Sequence, residues 1–501
     1  MRPLLKLLLA LCMATPQLHA HPALGHFAQP ADIGKLETQL HSSDAYERGK
    51  AIVALLKDRS EEAWELILGA LEDPAGVVAD RAQMGLVDLP QGLHRELLGK
   101  RGLRSKDDLV ALRVAELLGR MQGVISSKDY IKALRHKEEA VRRSMLWSLE
   151  RLATKDLLGE NSQGLVEAVQ KVIDKDREPV VRAQALVTMA QMSPANLPAA
   201  MVEFSAAKSP AMRAAAAESL ALLGVGQRDR AFKRALADEA FIVRLRAYES
   251  VAGMESLEGM QKLVEALETE SLARASWRIV DLLRKASGMK YGRDPRPWKL
   301  WLSEQAVDWS PVQPKRVEQL GDSGTASFVG MRVISTQLAF LIDFSGSMWQ
   351  ERAGKTRKQR VDVEMEKALR GLAGEVRFNI HPFESTPLHW QKELVVANTR
   401  NVKGAIDYFA GCKARGAGDF WSALLEAMED PDVDTFMMLG DGAPSGGYRW
   451  DMELMQELFV HENRFRGIAM DALLVETKGR LLGYWENMCE RSGGRCLQVD
   501  I

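Results

Sequence analysis

The octapeptide Leu341-Ile342-Asp343-Phe344-Ser345-Gly346-Ser347-Met348 governs the interpretation of the C-terminal part of this sequence. An apolar run over residues 338–342 ends abruptly at the carboxylate of Asp343, and the hydroxyls of Ser345 and Ser347 follow closely. This pattern is typical of a buried strand that delivers polar side chains to one edge of a sheet. The stretch therefore predicts a sheet with a polar site at the carboxyl end of its first strand.

The sequence on the C-terminal side of the octapeptide alternates between short apolar runs and helical patterns. This alternation predicts an open α/β sheet, in which ligands bind at the carboxyl ends of parallel strands. Another of the apolar runs is followed directly by Gly440-Asp441-Gly442. Strands are predicted at 338–342, 376–380, 436–439, 468–474 and 496–499, and helices near 360–373, 420–429, 452–463 and 480–490.

The two loops bring hard oxygen ligands to the same edge of the predicted sheet. Asp343 and Asp441 offer carboxylates, and Ser345 and Ser347 offer hydroxyls. Mg²⁺ and Mn²⁺ prefer oxygen ligands in octahedral geometry and retain water readily. Neither loop contains Cys or His, so a thiolate or imidazole site is not indicated.

These motifs together resemble a von Willebrand factor type A domain. The Asp343 loop resembles the Asp-x-Ser-x-Ser start of that family's metal-ion-dependent adhesion site, and residues 440–444 resemble its second acidic loop. Ser492-Gly493-Gly494-Arg495 is similar to the segment before its final strand. The resemblance implies a Rossmann-like α/β domain that binds Mg²⁺ or Mn²⁺ and leaves an open coordination position for an acidic residue of a protein partner.

One segment departs from the family pattern. The family supplies a Thr hydroxyl before its third helix, whereas Arg415-Gly416-Ala417-Gly418-Asp419-Phe420 places Gly418 at that position. Three alternatives remain open from the sequence: the metal site is lost, it holds a metal with an extra water, or Asp419 replaces the hydroxyl.

The N-terminal region contains repeated helical blocks. Arg182, Arg213, Arg244 and Arg274 recur at intervals of 31, 31 and 30 residues, and Arg142 precedes the first of them by 40. Each block combines a turn that contains Asp or Pro with a helix, which resembles HEAT-type repeats. The repeats predict an α-helical solenoid over 30–305, serving either as a protein-binding surface or as a spacer. We expect the repeated Arg residues to make hydrogen bonds between repeats.

Two short segments mimic enzyme motifs without their context. Residues 306–332 lose periodicity and form a predicted linker, which precedes the α/β domain at 333–501. Gly321-Asp322-Ser323-Gly324 imitates the nucleophile segment of a serine protease, but the strands for paired barrels are missing. Gly354-Lys355-Thr356 imitates the end of a phosphate loop, but Trp349 stands where the first Gly is required. No catalytic residues are assigned.

The first twenty residues have the layout of a secretory signal peptide. Arg2 and Lys6 flank an apolar stretch, and small or polar residues follow up to Ala20. We expect export to the periplasm, cell surface or extracellular space, with no integral membrane segment in the mature chain. After the predicted cleavage Cys412, Cys489 and Cys496 remain; Cys489 and Cys496 lie seven residues apart, so a bridge between them and three buried thiols are both open.

The overall composition is that of a folded globular protein with balanced charge. Lys plus Arg number 67 and Asp plus Glu 68, which gives no electrostatic footprint for nucleic acid. The sequence therefore predicts an exported, non-enzymatic protein-binding or adhesion protein with a divalent-cation site. A metal-independent assembly scaffold and an exported enzyme remain the alternatives.

Overall fold

The computed structural model describes residues 32–158, 162–220, 225–306, 308–312, 327–352, 354–372, 374–413 and 416–499. The predicted signal peptide at 1–20, the tetrapeptide at 321–324 and most of the predicted linker at 306–332 lie outside these residues. Within the described part of the chain, no helix has the length and apolar character needed to cross a membrane.

The N-terminal region is a succession of helices, here called the helical array. Pro179 and Pro210 occupy the first positions of α10 and α12, where the missing N–H of proline costs no hydrogen bond. The helices are α1 (Ile33–Leu40), α2 (Ala45–Asp58), α3 (Glu61–Gly69), α4 (Gly76–Gly85), α5 (Gln91–Leu93, continued by a π-helix, His94–Gly102), α6 (Asp108–Leu118), α7 (Ser127–Ala133), α8 (Glu139–Thr154), α9 (Gln163–Lys175), α10 (Pro179–Met192), α11 (Leu197–Ser205), α12 (Pro210–Glu218), α13 (Val225–Leu236), α14 (Phe241–Ala252), α15 (Leu257–Thr269), α16 (Ala273–Ser287) and α17 (Pro295–Ser303).

The helices of the array pack in two rows. From α2 to α16, each even-numbered helix contacts the next even-numbered helix, and these form the inner row. Odd-numbered helices such as α9, α11 and α15 pack against their even-numbered neighbours and form the outer row. One continuous apolar cluster fills the array, so each helix pair is covered by its neighbours.

The repeated Arg residues join consecutive helix pairs. Arg213 donates to both carboxylate oxygens of Asp238 at 2.8 and 2.9 Å, and to the carbonyls of Ala207 and Lys208 at 3.0 Å each. Asp238 also accepts from the Ala240 N–H at the start of the next helix. The same arrangement recurs with other partners at Arg48, Arg142 and Arg244. Hydrogen bonds between consecutive helix pairs, which were predicted for the regularly spaced Arg residues, are thus present at Arg142, Arg213 and Arg244.

Two of the repeated Arg residues have different partners. Arg182 donates to the carbonyl of Ile173 and to the Glu203 carboxylate. Arg274 is buried and donates to the carbonyl of Gly493, which lies in the C-terminal domain. The last repeat therefore uses its Arg to hold the other domain, which the spacing did not indicate.

The C-terminal region is built on a six-stranded sheet. The strand order is β10-β9-β8-β3-β6-β7, and all neighbours are parallel except β6 and β7. All five predicted strands are present as β3, β6, β8, β9 and β10, whereas the short edge strand β7 and helix α19 were not predicted. The elements are β1 (Ser327–Phe328), β2 (Met331–Arg332), β3 (Gln337–Asp343), β4 (Glu351–Arg352), β5 (Lys355–Thr356), α18 (Arg357–Gly371), β6 (Arg377–Phe383), β7 (Val395–Val396), α19 (Thr399–Gly411), α20 (Phe420–Ala427), β8 (Thr435–Gly440), α21 (Met452–Glu462), β9 (Ala469–Val475), α22 (Gly479–Ser492) and β10 (Cys496–Val499).

Strand β3 lies in the middle of the sheet and is buried on both faces. Phe340 and Ile342 enter the apolar cluster on one side, and Ala339 and Leu341 enter the cluster on the other. A continuous apolar run is what a central parallel strand requires. The thiols of Cys489 and Cys496 are both free in this structure.

The α/β domain packs against the inner row of the array. Arg449, in the loop between β8 and α21, is buried and donates to both carboxylate oxygens of Glu116 at 2.7 Å. It also donates to Gln83 at 2.9 Å, and Arg113 donates to Asp80 at 2.6 Å. Asp80 in turn accepts from two backbone N–H groups that follow Arg449. We call Arg449 with these four array residues the Arg449 cluster.

Helix α21 of the α/β domain makes a second set of contacts with the inner row. Its His461 stacks on Trp147 with ring centroids 4.7 Å apart, and the nearby Arg464 pairs with Glu150 and Glu218. Burial, together with the charges of Arg143, Arg464 and Arg151, lowers the pKa of His461 well below its usual value. His461 is therefore neutral in the folded protein.

Replacing Arg244 by Ala is expected to destabilise the array. The change removes the bidentate pair with Glu270 and two bonds to turn carbonyls, at a cost of about 3 kcal/mol. Urea unfolding followed by circular dichroism measures the loss. Arg234→Ala, at an exposed position, is the control, and equal midpoints for the two variants would contradict the inter-repeat role of Arg244.

Replacing Arg449 by Met is expected to cost about 3–5 kcal/mol, because the carboxylate of Glu116 is left buried without the guanidinium that pairs with both of its oxygens. Urea unfolding and limited proteolysis measure the effect, and cleavage is expected in the released 440–451 loop. Arg480→Met changes an exposed Arg of the same domain and should behave as the wild type. A variant at Arg449 that unfolds like this control would disprove the role of the cluster in docking.

Replacing His461 by Phe is expected to weaken the acid sensitivity of folding. Below about pH 6.5 the unfolded chain takes up a proton at His461 that the folded protein refuses, so stability falls as the pH falls. The wild type should lose more stability than the variant as the pH falls from about pH 7.5 to pH 5. Urea unfolding at a series of pH values gives both slopes. His41→Gln, at an exposed position, should keep the wild-type slope.

Candidate metal site

Two neighbouring strands deliver the predicted carboxylates to one edge of the sheet. Strands β3 and β8 are parallel and pair up to Ile342 and Leu439, so Asp343 and the loop from Gly440 leave the sheet side by side. A Cβ built on Gly440 would lie 2.8 Å from Asp343 Cβ and 3.1 Å from Asp343 Oδ2, so the start of the second loop touches the Asp343 side chain. The predicted proximity of the two loops is therefore present in the structure.

The Asp343 loop folds back on itself so that its polar groups face one another. The Ser345 N–H donates to Asp343 Oδ1 at 2.7 Å, and the hydroxyls of Ser345 and Ser347 lie 3.2 Å apart. Asp343 and Ser345 are buried, whereas Gly346 is exposed and Ser347 is half-buried. The hydroxyls thus lie at an edge that is reached from solvent.

The electrostatics of this edge favour a cation. Burial raises the pKa of Asp343 to about 6, and the charge of Asp441 acts in the same direction. Two carboxylates near one another are stabilised when a cation lies between them. These carboxylate and hydroxyl oxygens therefore fit Mg²⁺ or Mn²⁺, the cations predicted from the sequence.

The Asp441 loop is held by side chains from neighbouring elements. Thr477 donates its hydroxyl to the Asp441 carbonyl at 2.8 Å, and the Trp485 indole N–H donates to the Gly442 carbonyl at 2.9 Å. Gly442 has a φ of +73°, and a Cβ there would lie 2.7 Å from the Trp485 nitrogen. Glycine is therefore required at 442, and the position of Asp441 follows from it.

Asp419, which the sequence offered as a possible metal ligand, caps a helix in the structure. Its carboxylate accepts from the Ser422 N–H at 3.1 Å and caps the N-terminus of α20. The carboxylate also lies against Gly447, where a Cβ would be 2.2 Å from Asp419 Oδ1. Of the five predicted ligands, Asp343, Ser345 and Ser347 are brought together, Asp441 lies beside them, and Asp419 serves as a helix cap.

The candidate site at this edge has few charged ligands. Among the described residues, no three His, Cys, Asp or Glu side chains are grouped so that they could hold a metal ion. A cation here would rely on two carboxylates, neutral hydroxyls and water, as Mg²⁺ and Mn²⁺ sites often do.

The side chain of Ser445 also lies near this edge and was not among the predicted site residues. The Ser445 hydroxyl accepts a hydrogen bond from the Gly418 N–H at 2.7 Å, which holds the loop after β8 against the segment before α20. The only signal in the sequence is that Ser445 directly follows the Gly440–Pro444 motif.

Comparison with known proteins gives partial matches. No protein-family model matches this chain. Inter-alpha-trypsin inhibitor heavy chain 4 of Mus musculus is 29% identical over 126 residues, which cover 23% of this chain and 13% of that protein. The Homo sapiens protein is 28% identical over 130 residues, which cover 24% and 13%. The match therefore spans about one eighth of the length of these relatives.

Two solved structures are each similar to part of the chain. A von Willebrand factor type A protein from Catenulispora acidiphila covers 33% of this chain and 39% of its own, with 14% identity and a TM-score of 0.28. The CpcE–CpcF complex of a Nostoc phycocyanin lyase covers 54% and 98%, with 17% identity and a TM-score of 0.27. The mixed sheet and its polar loops, as described above, are compatible with a von Willebrand factor type A-like α/β domain.

Proposed function

We propose that this chain is an exported, non-enzymatic protein-binding or adhesion protein that binds its partner through a divalent cation. The observation that carries the proposal is the buried Asp343 carboxylate, grouped with the hydroxyls of Ser345 and Ser347 beside Asp441. The cation would be Mg²⁺ or Mn²⁺, and it would supply a coordination position for an acidic residue of the partner.

The charge balance of the site leaves no net negative charge that would oppose an acidic partner. Two carboxylates neutralise one divalent ion, and the hydroxyls add no charge. Because Asp419 caps α20, it brings no third carboxylate to the cation. The half-buried Ser347 and Asp441 leave the edge open to a side chain that arrives from solvent.

The helical array would serve as the frame for this domain. We interpret the array as a HEAT-like solenoid, because its Arg residues join successive helix pairs at a regular interval. Its inner row already holds the α/β domain through the Arg449 cluster. Partner contacts would therefore fall on the outer row and on the sheet edge that carries Asp343, Ser347 and Asp441, here called the metal edge. The partial similarity to inter-alpha-trypsin inhibitor heavy chain 4 adds support for a role in protein interaction.

A second candidate function is a metal-independent assembly scaffold. The observation that favours it is the docking itself, since the Arg449 cluster and the pairs of Arg464 hold the two regions together without a cation. An exported enzyme has less support, because no catalytic set is assigned to the chain.

Isothermal titration of the full-length mature chain with Mn²⁺ and with Mg²⁺ tests the metal site. We expect saturable binding by the wild type and at least a tenfold weaker affinity for Asp343→Ala, because the buried carboxylate is lost. Asp407→Ala removes an exposed carboxylate from α19 and should bind like the wild type. Absence of heat with all three proteins would refute the metal site.

Capture of partners on immobilised protein separates the two candidate functions. A metal-dependent binder should release its partner in EDTA, and Asp343→Ala should fail to capture it even in Mg²⁺. Capture that is unaffected by EDTA and by Asp343→Ala would favour the scaffold.

A further inference from the structure

Gly418, the residue that departs from the family pattern, lies beside Asp343 and has no side chain to fill the space between them. A Cβ built on Gly418 would lie 3.5 Å from Asp343 Oδ1 and 3.5 Å from the Ser345 Cβ. These are ordinary van der Waals distances, so a Cβ would fit there and would lie on the side of Gly418 that faces Asp343 and Ser345. Gly418 leaves this space unfilled by its own side chain.

The nearest hydroxyl to this space belongs to Ser445. The same built Cβ would lie 3.6 Å from Ser445 Oγ, so the hydroxyl borders the place where a side chain at 418 would end. Two reciprocal hydrogen bonds fix it there, from the Gly418 N–H to Ser445 Oγ at 2.7 Å and from the Ser445 N–H to the Gly418 carbonyl at 3.2 Å. A serine oxygen has two lone pairs, so one remains for a further ligand.

We propose that Ser445 supplies the hydroxyl ligand that Gly418 lacks, so that the cation is held by Asp343, Ser345, Ser347, Asp441 and Ser445. This inference rests on the proposed function, because it assigns a further ligand to the same site. The segment around 418 contributes its backbone N–H, which orients the Ser445 oxygen, and the loop after β8 contributes the side chain.

The loop that carries Ser445 is fixed on both sides. Before it, Asp441 is held by Thr477. After it, the Gly447 carbonyl accepts from the Gly76 N–H of α4 at 3.0 Å, and Arg449 enters its buried cluster. The helical array thus holds one end of the loop in the position that presents the Ser445 hydroxyl.

The structure also explains why Asp419 does not fill the space at Gly418. Its carboxylate is directed to the Ser422 N–H and packs against Gly447, which has a φ of +83° and no side chain to displace it. Turning Asp419 toward Asp343 would remove the cap of α20 and bring three carboxylates together. Ser445 offers an oxygen at lower electrostatic cost.

Mn²⁺ titration of Ser445→Ala tests the assignment. We expect the dissociation constant to rise about tenfold, whereas Ser445→Thr, which retains the hydroxyl, should stay within about threefold of the wild type. Ser385→Ala is the matched control, because Ser385 is also exposed and its hydroxyl also accepts from a backbone N–H of this segment, that of Ala417 at 3.1 Å. This control should bind Mn²⁺ like the wild type.

A rescue variant separates a ligand from a merely structural serine. Gly418→Thr in the Ser445→Ala background places a hydroxyl in the space left by Ser445, and we expect it to restore most of the Mn²⁺ affinity. Melting temperatures in EDTA, equal among the variants, would show that the fold is unchanged. Wild-type Mn²⁺ binding with no loss in Ser445→Ala, or loss without rescue, would overturn the role of Ser445 alone. Absence of binding by the wild type would overturn the metal site itself.

Discussion

The buried guanidinium of Arg449 is the interaction on which the arrangement of the two regions depends. Burial alone would favour its neutral form, but the carboxylates of Glu116 and Asp80 raise the pKa of Arg449 and keep it charged. A buried charge of this kind is tolerated only when its partners are in place with good geometry. Since Glu116 and Asp80 belong to the array, the α/β domain has one orientation on the inner row in which this charge is satisfied. The cluster therefore selects the docked geometry more than it adds to total stability.

The same loop that inserts Arg449 also carries the polar groups of the candidate site. Between the end of β8 and the start of α21, the chain passes Asp441, Ser445 and Arg449 in that order. Its first part is fixed by the sheet and its last part by the array. Any shift of the α/β domain on the inner row would move the Ser445 end of the loop relative to Asp343. Docking and metal binding are thus expected to be thermodynamically linked, because each favours the same loop conformation.

Local sequence patterns predicted those features whose causes are local. The apolar run before Asp343 identified β3, and the regular spacing of Arg213 and Arg244 identified bonds between neighbouring helix pairs. The docking of the two regions was not predictable, because Arg449 and Glu116 are distant in sequence and each resembles an ordinary surface charge. Asp419 shows a different limit, since an acidic residue before a helix is equally suited to a metal and to an N-cap. The three-dimensional structure decides between the two, because the Asp419 carboxylate accepts from the Ser422 N–H and packs against Gly447.

The choice of charged contacts between the two regions has a consequence for partner binding. Arg449, Arg464 and the stacked His461 cover this part of the inner row. A partner is therefore not expected to bind the array on that face. A partner that coordinates a cation at the metal edge would instead contact the loop of Ser445, whose far end is held by α4. The rigid anchor reduces the entropy lost when the partner binds, since the loop is already ordered. In this arrangement the inner row of the array would contribute to binding by preorganising the site, and direct contacts of the array with a partner would fall on its outer row.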